Sequence, residues 1–199
     1  MVIAFFAYYL TTAMALPYGA GPDYDAHFDG ARFIFSEGRL AILPEDASKL
    51  QFTAYGSTRA LRPPLSYIVA AAGAKSLSWT GIELQMLFRV GSALLSALTL
   101  GLVFSVLNRH LNNRWFALSG VLLVGLLPQF AFIGSHLNDD SAAIFSVTFL
   151  IYCLIRLLHE PVSPSRALLT GLAIGLVILS KFTAWLFLPV AGLILALFA

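Results

Sequence analysis

Long apolar runs constrain this chain more than any other feature of its sequence. Six stretches are rich in hydrophobic residues: residues 2–18, 65–79, 84–107, 115–134, 141–158 and 167–199. A helix needs about 20 mostly apolar residues to cross the hydrocarbon core of a bilayer. The chain is 59% hydrophobic and 11% charged, so its few charges cannot give these runs a water-soluble surface. The sequence therefore predicts an all-α, polytopic transmembrane helix bundle of about six spans.

Several other classes are excluded by the same composition. The high apolar content excludes a disordered chain, and the basic residues are too scattered to form a nucleic-acid-binding patch. Cys153 is the single cysteine and lies inside an apolar run, which leaves no disulfide framework and no thiolate metal site. The last apolar stretch is too long for one span. Lys181 and Pro189 interrupt it, which predicts one helix from 167 to about 182 and another from about 184.

The orientation of the spans follows from the charges of the short connectors. Residues 108–114 carry Arg109 and Arg114 without an acid, and residues 156–166 carry two arginines against one glutamate. Arginine-rich short loops stay on the cytoplasmic side of a membrane. The connector 136–141 carries two aspartates and no lysine or arginine, which predicts an external position.

The number of crossings then constrains the front of the chain. Between an external first loop and the cytoplasmic connector the chain must cross an odd number of times, so residues 84–107 cross and residues 63–79 do not. We expect residues 63–79 to form a juxtamembrane helix on the outer surface, within a first extracytoplasmic loop that covers residues 21–80. Residues 1–199 are expected to be a single transmembrane domain, the N-terminal part of a longer protein. The first helix is expected to be retained as an anchor, because no basic segment precedes it.

Polar residues concentrate directly after the first apolar stretch. Asp23, Asp25 and His27 follow Pro22, which suits the first position of a helix. At helical spacing Asp23 and His27 lie one turn apart on one face, and such a pair can bind a divalent cation or accept a proton from a hydroxyl. The simpler interpretation is that an external loop is where a membrane protein carries its charges.

A second cluster precedes the apolar stretch 141–158 and contains His136, Asn138, Asp139 and Asp140. Asn138 or Asp139 could cap the helix that begins near residue 141. Capping accounts for one of these residues, and it leaves His136 and a second aspartate without an explanation.

Three cations are expected on the same outer side. Lys181 either extends to the headgroups or serves a site, and Arg59 and Arg62 either anchor the loop to lipid phosphate or bind a ligand. Arg89, two turns into its span, is expected to pair with Glu83 or to reach the outer headgroups.

Carboxylates together with cations at a lipid surface suit chemistry on a phosphate-linked lipid. An acid would serve as base or metal ligand, and the cations would bind the leaving phosphate.

Five short motifs resemble, in order, those of the C-type membrane glycosyltransferases, which use polyprenyl-phosphate-sugar donors. The resemblance is greatest to bacterial members related to protein mannosyltransferases and lipid A aminoarabinose transferases. The motifs are Pro22-Asp23 with His27-Phe28, Ala31-Arg32-Phe33 to Glu37-Gly38-Arg39-Leu40, Arg62-Pro63-Pro64-Leu65-Ser66-Tyr67, Asn138-Asp139-Asp140-Ser141-Ala142 and Leu179-Ser180-Lys181-Phe182-Thr183.

The resemblance implies inverting transfer of a sugar from a polyprenyl-phosphate donor to an extracytoplasmic glycan, lipid or protein acceptor. It assigns Asp23 as catalytic base or metal ligand. Tyr24 stands where many relatives have a glutamate, and whether Asp25 replaces that glutamate is left open by the resemblance. The expected sites are catalytic Asp23, Asp25 and His27; donor phosphate-binding Lys181, Arg59 and Arg62; the second cluster His136, Asn138, Asp139 and Asp140; and a divalent metal on Asp23, His27 and Asp140.

Two other functions remain as alternatives. A transporter or flippase-like protein would place its polar groups on broken helices near the membrane midplane, and Arg89 and Pro128-Gln129 lie within spans. A non-catalytic membrane scaffold would carry its polar clusters incidentally. Because the polar groups are expected at one face, the sequence favours the transferase, an integral protein of the cytoplasmic membrane with an extracytoplasmic active face.

Overall fold

The computed structural model describes residues 1–197, and every regular element in this range is helical. The α-helices are α1 (Val2–Ala15), α2 (Tyr24–Glu37), α3 (Leu65–Leu77), α4 (Leu84–Leu111), α5 (Arg114–Gly125), α6 (Pro128–Ser135), α7 (Asp140–His159), α8 (Pro164–Ser180) and α9 (Phe187–Leu197). Short 3-10 helices lie at Ala47–Lys49, Arg59–Leu61, Ser78–Thr80 and Phe182–Leu186. The predicted all-α class is confirmed for the described residues.

Fewer helices than expected are long enough to cross a bilayer by themselves. Within residues 1–197, α4 and α7 are sufficiently long and apolar, and α5 with α6 makes a third candidate if this bent pair is one span. The helices α1 and α8, and the segment Phe182–Leu197, are apolar but shorter. Of the six predicted apolar stretches, the one at 115–134 is broken rather than straight, since α5 and α6 meet at 69°.

The bend between α5 and α6 has a local cause, and a contact with another helix satisfies the backbone group that the bend leaves unpaired. Pro128 has no N–H to continue the helical hydrogen bonds, so the chain turns at residues 126–127. The freed carbonyl of Gly125 accepts a hydrogen bond from the Tyr9 hydroxyl of α1 at 3.0 Å. Tyr9 is completely buried, so α1 supplies a partner that water cannot supply there.

The end of α1 is fixed by Arg89 of α4. The Arg89 guanidinium donates hydrogen bonds to the carbonyls of Ala13 at 2.5 Å, Leu16 at 2.8 Å and Pro17 at 3.0 Å. These carbonyls belong to the last turn of α1 and the residues after it, which have no helical donors of their own. The expectation that Arg89 pairs with Glu83 or reaches the headgroups is therefore wrong. Its side chain is buried and caps α1.

The first loop positions its polar residues through α2. Helix α2 packs on α3, and the 3-10 helix Arg59–Leu61 lies against α2 at Gly30. Ion pairs join Arg39 to Asp46 and Lys49 to Glu37, each over 2.7–2.8 Å. The expected position of residues 63–79 on the membrane surface stays a prediction, while the structure gives their helix, α3, a buried face against α4.

Close packing of α3 on α4 depends on Gly91. A Cβ atom at Gly91 would lie 2.9 Å from the backbone of Ala70 and 3.2 Å from that of Val69. Backbone atoms cannot yield as a flexible side chain can, so only glycine allows this approach. Gly171, by contrast, has open space around its Cβ position. Gly91 is thus a packing residue, whereas no described atom lies within 4 Å of a Cβ placed at Gly171.

We predict that Gly91→Ala lowers the free energy of unfolding by about 1–3 kcal/mol, the usual cost of overpacking. Gly171→Ala is the matched control and should leave stability unchanged or raise it, because alanine favours a helix over glycine. Thermal unfolding of both variants in detergent measures the difference. Equal stability of Gly91→Ala and the parent protein would show that α3 can move away from α4.

Candidate active site

Asp23 occupies a strained position at the start of α2. Its backbone is left-handed, with φ 53° and ψ 27°, which costs a non-glycine residue about 1–2 kcal/mol. It is the N-terminal capping residue of α2, yet its carboxylate accepts no capping hydrogen bond. Pro22 precedes the helix, whereas the sequence predicts it as the first helical residue. The carboxylate is 62% exposed and available for another partner.

That partner is Arg59, which also reaches the second polar cluster. Arg59 donates to Asp23 Oδ2 at 2.5 Å and to Asp139 Oδ2 at 3.1 Å. Lys181 then lies 3.0 Å from Asp139 Oδ1 and 2.7 Å from Asp140 Oδ1. Five charged residues thus form one continuous ionic chain, which we call the ionic relay: Asp23, Arg59, Asp139, Lys181 and Asp140.

The loop before α7 leaves Asp139 free for the ionic relay because Asn138 does the capping. The Asn138 side-chain oxygen accepts from the Ser141 backbone N–H at 2.8 Å. Its amide nitrogen donates to the carbonyls of Ile133 and His136, both at 2.7 Å. Asp139 makes no side-chain capping bond and is 5% exposed. A buried carboxylate needs compensating charge, and Arg59 and Lys181 supply it.

His27 has a partner other than Asp23. Its Nδ1 atom lies 2.9 Å from the hydroxyl of Tyr67, and both side chains are buried. Burial lowers the pKa of His27 from 6.5 to about 4, so the imidazole is neutral at physiological pH. His27 and Asp23 are one helical turn apart, as predicted, but they engage different residues. The structure joins α2 to α3 through the pair of His27 and Tyr67. Tyr67 belongs to one of the five motifs, but the sequence does not predict its contact with His27.

The other predicted site residues lie around the ionic relay without joining it. Asp25 is exposed, and Arg62 is exposed with no ion-pair partner among residues 1–197. His136 is buried, with Nδ1 2.6 Å from the carbonyl of Phe132. Gly21 lies against its ring, since a Cβ atom there would be 2.5 Å from His136 Cδ2.

The predicted metal set does not converge. Asp23 engages Arg59, His27 engages Tyr67, and Asp140 engages Lys181. Within residues 1–197 no three His, Cys, Asp or Glu side chains are grouped as metal ligands would be. The donor set therefore does not fit a divalent ion on Asp23, His27 and Asp140, because each of these groups already points to a different partner.

The electrostatics of the ionic relay favour the ionised form of Asp23. The hydrogen bond from Arg59, and then its charge, hold the pKa of Asp23 below its usual value. Three carboxylates face two cations, which leaves one net negative charge across the relay. Its exposed ends are Asp23 and Asp140, and its middle is largely buried. Such an arrangement offers a carboxylate base beside cations that an anionic ligand can share.

The fold and this site describe an all-helical membrane protein with a polar centre where the ends of several helices meet. A comparison with protein families matches residues 62–199 to the dolichyl-phosphate-mannose-protein mannosyltransferase family. The chain belongs to this family and is therefore a membrane glycosyltransferase. No curated protein and no solved structure matches the chain. The family match includes Asp139 and Lys181 but begins after Asp23 and Arg59, which are tied to it by their ion pairs with one another and with Asp139.

The buried His27 predicts a pH dependence of stability. Because the pKa of His27 is about 4 in the folded protein and 6.5 in the reference state, the unfolded chain takes up the proton first as pH falls. The contribution of His27 to the free energy of unfolding should be constant above pH 6.5. It should fall between pH 6.5 and 4, by up to about 1.4 kcal/mol per pH unit.

Unfolding free energies at several pH values should show this slope in the parent protein and a flatter slope in His27→Gln. The exposed His110 gives the control, His110→Gln, which should keep the parent slope. An unchanged slope in His27→Gln would contradict the assignment.

Proposed function

We propose that the protein transfers a hexose or a pentose from a polyprenyl-phosphate donor to a glycan, lipid or protein acceptor, with inversion at the anomeric carbon. The reaction takes place on the extracytoplasmic face of the cytoplasmic membrane. The observation that carries this proposal is the ionic relay, because it joins the exposed carboxylate of Asp23 to two cations from distant segments, Arg59 and Lys181. Family membership supports the class of reaction.

Asp23 serves as the general base. Its Oδ2 atom is held by Arg59, and its side chain is more than half exposed, so its carboxylate can accept the proton of an acceptor hydroxyl. The acceptor oxygen then forms a bond to the anomeric carbon while the bond between that carbon and the phosphate oxygen breaks. The electron pair of the broken bond stays on the leaving phosphate. Attack opposite the leaving group inverts the configuration.

Arg59, Arg62 and Lys181 bind the donor phosphate. Arg62 is exposed and has no ion-pair partner within the described part of the chain. Arg59 and Lys181 are held by carboxylates, and the phosphate oxygens compete for the same N–H donors. When the phosphate takes a share of Arg59, the hydrogen bond that lowers the pKa of Asp23 weakens, and Asp23 becomes a stronger base. Donor binding thereby activates the base.

Asp25 and His27 have supporting roles in this proposal. Asp25 is the substitute base, since it is exposed two residues after Asp23. His27 is a positioning residue that holds α2 on α3 through Tyr67. The residues His136 and Asn138 shape the loop on which Asp139 and Asp140 are carried.

The transporter alternative has one feature in its favour, the break between α5 and α6. Broken helices in transporters present free backbone groups to a substrate. Here the freed Gly125 carbonyl accepts a hydrogen bond from the Tyr9 hydroxyl, and the Arg89 guanidinium donates to the carbonyls at the end of α1. Neither group is available to a transported ligand, so the contacts favour the transferase.

We predict that Asp23→Asn in the full-length enzyme lowers the transfer rate by about 10²–10⁴-fold, the usual contribution of a general base. Asparagine keeps the shape of the side chain and removes its proton affinity. Transfer from a radiolabelled polyprenyl-phosphate sugar measures the effect. Glu37→Gln, at the other end of α2 and paired with Lys49, is the control and should retain activity. Activity of Asp23→Asn within a few-fold of the parent enzyme would remove Asp23 from the mechanism and transfer the role to Asp25 or Asp140.

We predict that Lys181→Met weakens donor binding by about 10- to 100-fold, because a charge-assisted hydrogen bond to the phosphate is lost. Methionine preserves the length and apolar character of the side chain. Asp139 keeps Arg59 as a partner, so the fold should be retained. Lys75→Met removes a lysine from α3 that is outside the ionic relay and should leave donor affinity unchanged. Parent-like affinity in folded Lys181→Met would restrict Lys181 to joining α8 to α7.

A further inference from the structure

A second ionic cluster lies at the opposite end of the bundle. Three guanidinium groups converge on Glu160: Arg109 at 2.5 Å, Arg156 at 2.9 Å and Arg166 at 2.7 Å. These arginines come from the end of α4, the end of α7 and the start of α8. We call these four residues the arginine cluster. It has two net positive charges, whereas the ionic relay has one net negative charge.

Helix α7 separates the two clusters. Asp140 is its first residue, Glu160 follows its last residue, and its 20 residues span about 30 Å. This length equals the thickness of the hydrocarbon core of a bilayer. The arginine cluster is therefore at the level of one leaflet's headgroups when the ionic relay is at the level of the other.

The arginines keep donors available for a further anion. Arg109 uses one nitrogen for Glu160, and its side chain is 46% exposed. The side chains of Arg156 and Arg166 are 30% and 25% exposed. The hydrogen bond from Arg156, followed by that from Arg109, lowers the pKa of Glu160 to about 2, so its carboxylate stays ionised and holds the three guanidinium groups together. The positive-inside rule accounts for arginines in a cytoplasmic loop. It does not account for three arginines that pair with the same carboxylate.

An apolar groove begins beside the arginine cluster. It has a volume of about 410 Å³ and lies between α7, α8 and α9. Its walls include Leu157, Val162, Ala167, Gly171, Ile174 and Ile194. Leu157 follows Arg156 in the chain and Ala167 follows Arg166, so the groove opens at the same helix ends that carry the arginine cluster. The open space beside Gly171 is part of this groove.

We propose that this end of the bundle binds an anionic membrane phospholipid, with its headgroup phosphate on the arginine cluster and an acyl chain in the groove. The positive charge selects an anionic over a zwitterionic headgroup, and the apolar walls bind the chain. The site is separate from the proposed transfer reaction and does not depend on it.

The test uses the full-length enzyme in detergent, with phosphatidylglycerol and phosphatidylcholine of the same acyl chains as probes. Native mass spectrometry counts bound lipid, and a lipid-induced rise in the unfolding midpoint gives a second reading. We expect phosphatidylglycerol to bind and phosphatidylcholine to bind much more weakly. Arg109→Gln should weaken phosphatidylglycerol binding about fivefold, the effect of one cation near an anionic headgroup. Arg114→Gln removes an arginine that lies outside the cluster and should have no effect.

The groove has its own matched pair of variants. Gly171→Leu should fill the groove and weaken phosphatidylglycerol binding without changing the unfolding midpoint of the lipid-free enzyme. Gly192→Leu is the control, because Gly192 also has open space around its Cβ position but lies outside the groove walls. Equal binding of the two lipids would overturn the proposal, as would a preference that survives both Arg109→Gln and Gly171→Leu. A lower midpoint of lipid-free Gly171→Leu would show that protein, rather than lipid, fills the groove.

Discussion

The guanidinium of Arg59 joins Asp23 to Asp139, which lies 116 positions further along the chain, and the candidate site depends on this contact. Asp23 begins the first long loop, and Asp139 precedes α7. Asp139 is nearly buried, and the two cations Arg59 and Lys181 compensate its charge. One cation between two carboxylates therefore holds the exposed carboxylate of Asp23 and compensates the buried carboxylate of Asp139 at the same time.

The strained backbone of Asp23 is stabilised by contacts on both sides of it. Arg89 holds the carbonyls at the end of α1, and Gly21 packs against the ring of His136. On the other side, His27 binds Tyr67 and fixes α2 on α3. A left-handed aspartate persists only where its surroundings determine the backbone, and such residues concentrate at functional sites. The backbone of Asp23 therefore marks a candidate functional residue outside the family match, which starts at residue 62.

The sequence predicts the helices better than the partners of their polar side chains. Apolar runs and their interruptions are local, so the all-helical class, α4, α7 and the helix break at Lys181 could be read from them. The bend at Pro128 has a local signal too, but a proline in a span is compatible with a straight or a broken helix. The partners of Arg89 and His27 come from residues 40–76 positions away. No local pattern specifies such contacts, because they depend on which helices pack together.

The two charged clusters at the ends of α7 restrict how the enzyme can move. A slide of α7 by one turn, about 5.4 Å, would carry Asp140 or Glu160 with its arginines into the hydrocarbon. The charged clusters therefore strongly oppose displacement of α7 along the membrane normal. The first loop carries Asp23 and Arg59 together, so its lateral movement would leave their ion pair intact and would break the contact of Arg59 with Asp139. These two residues would move as a unit, and the helix that carries Asp140 would stay still.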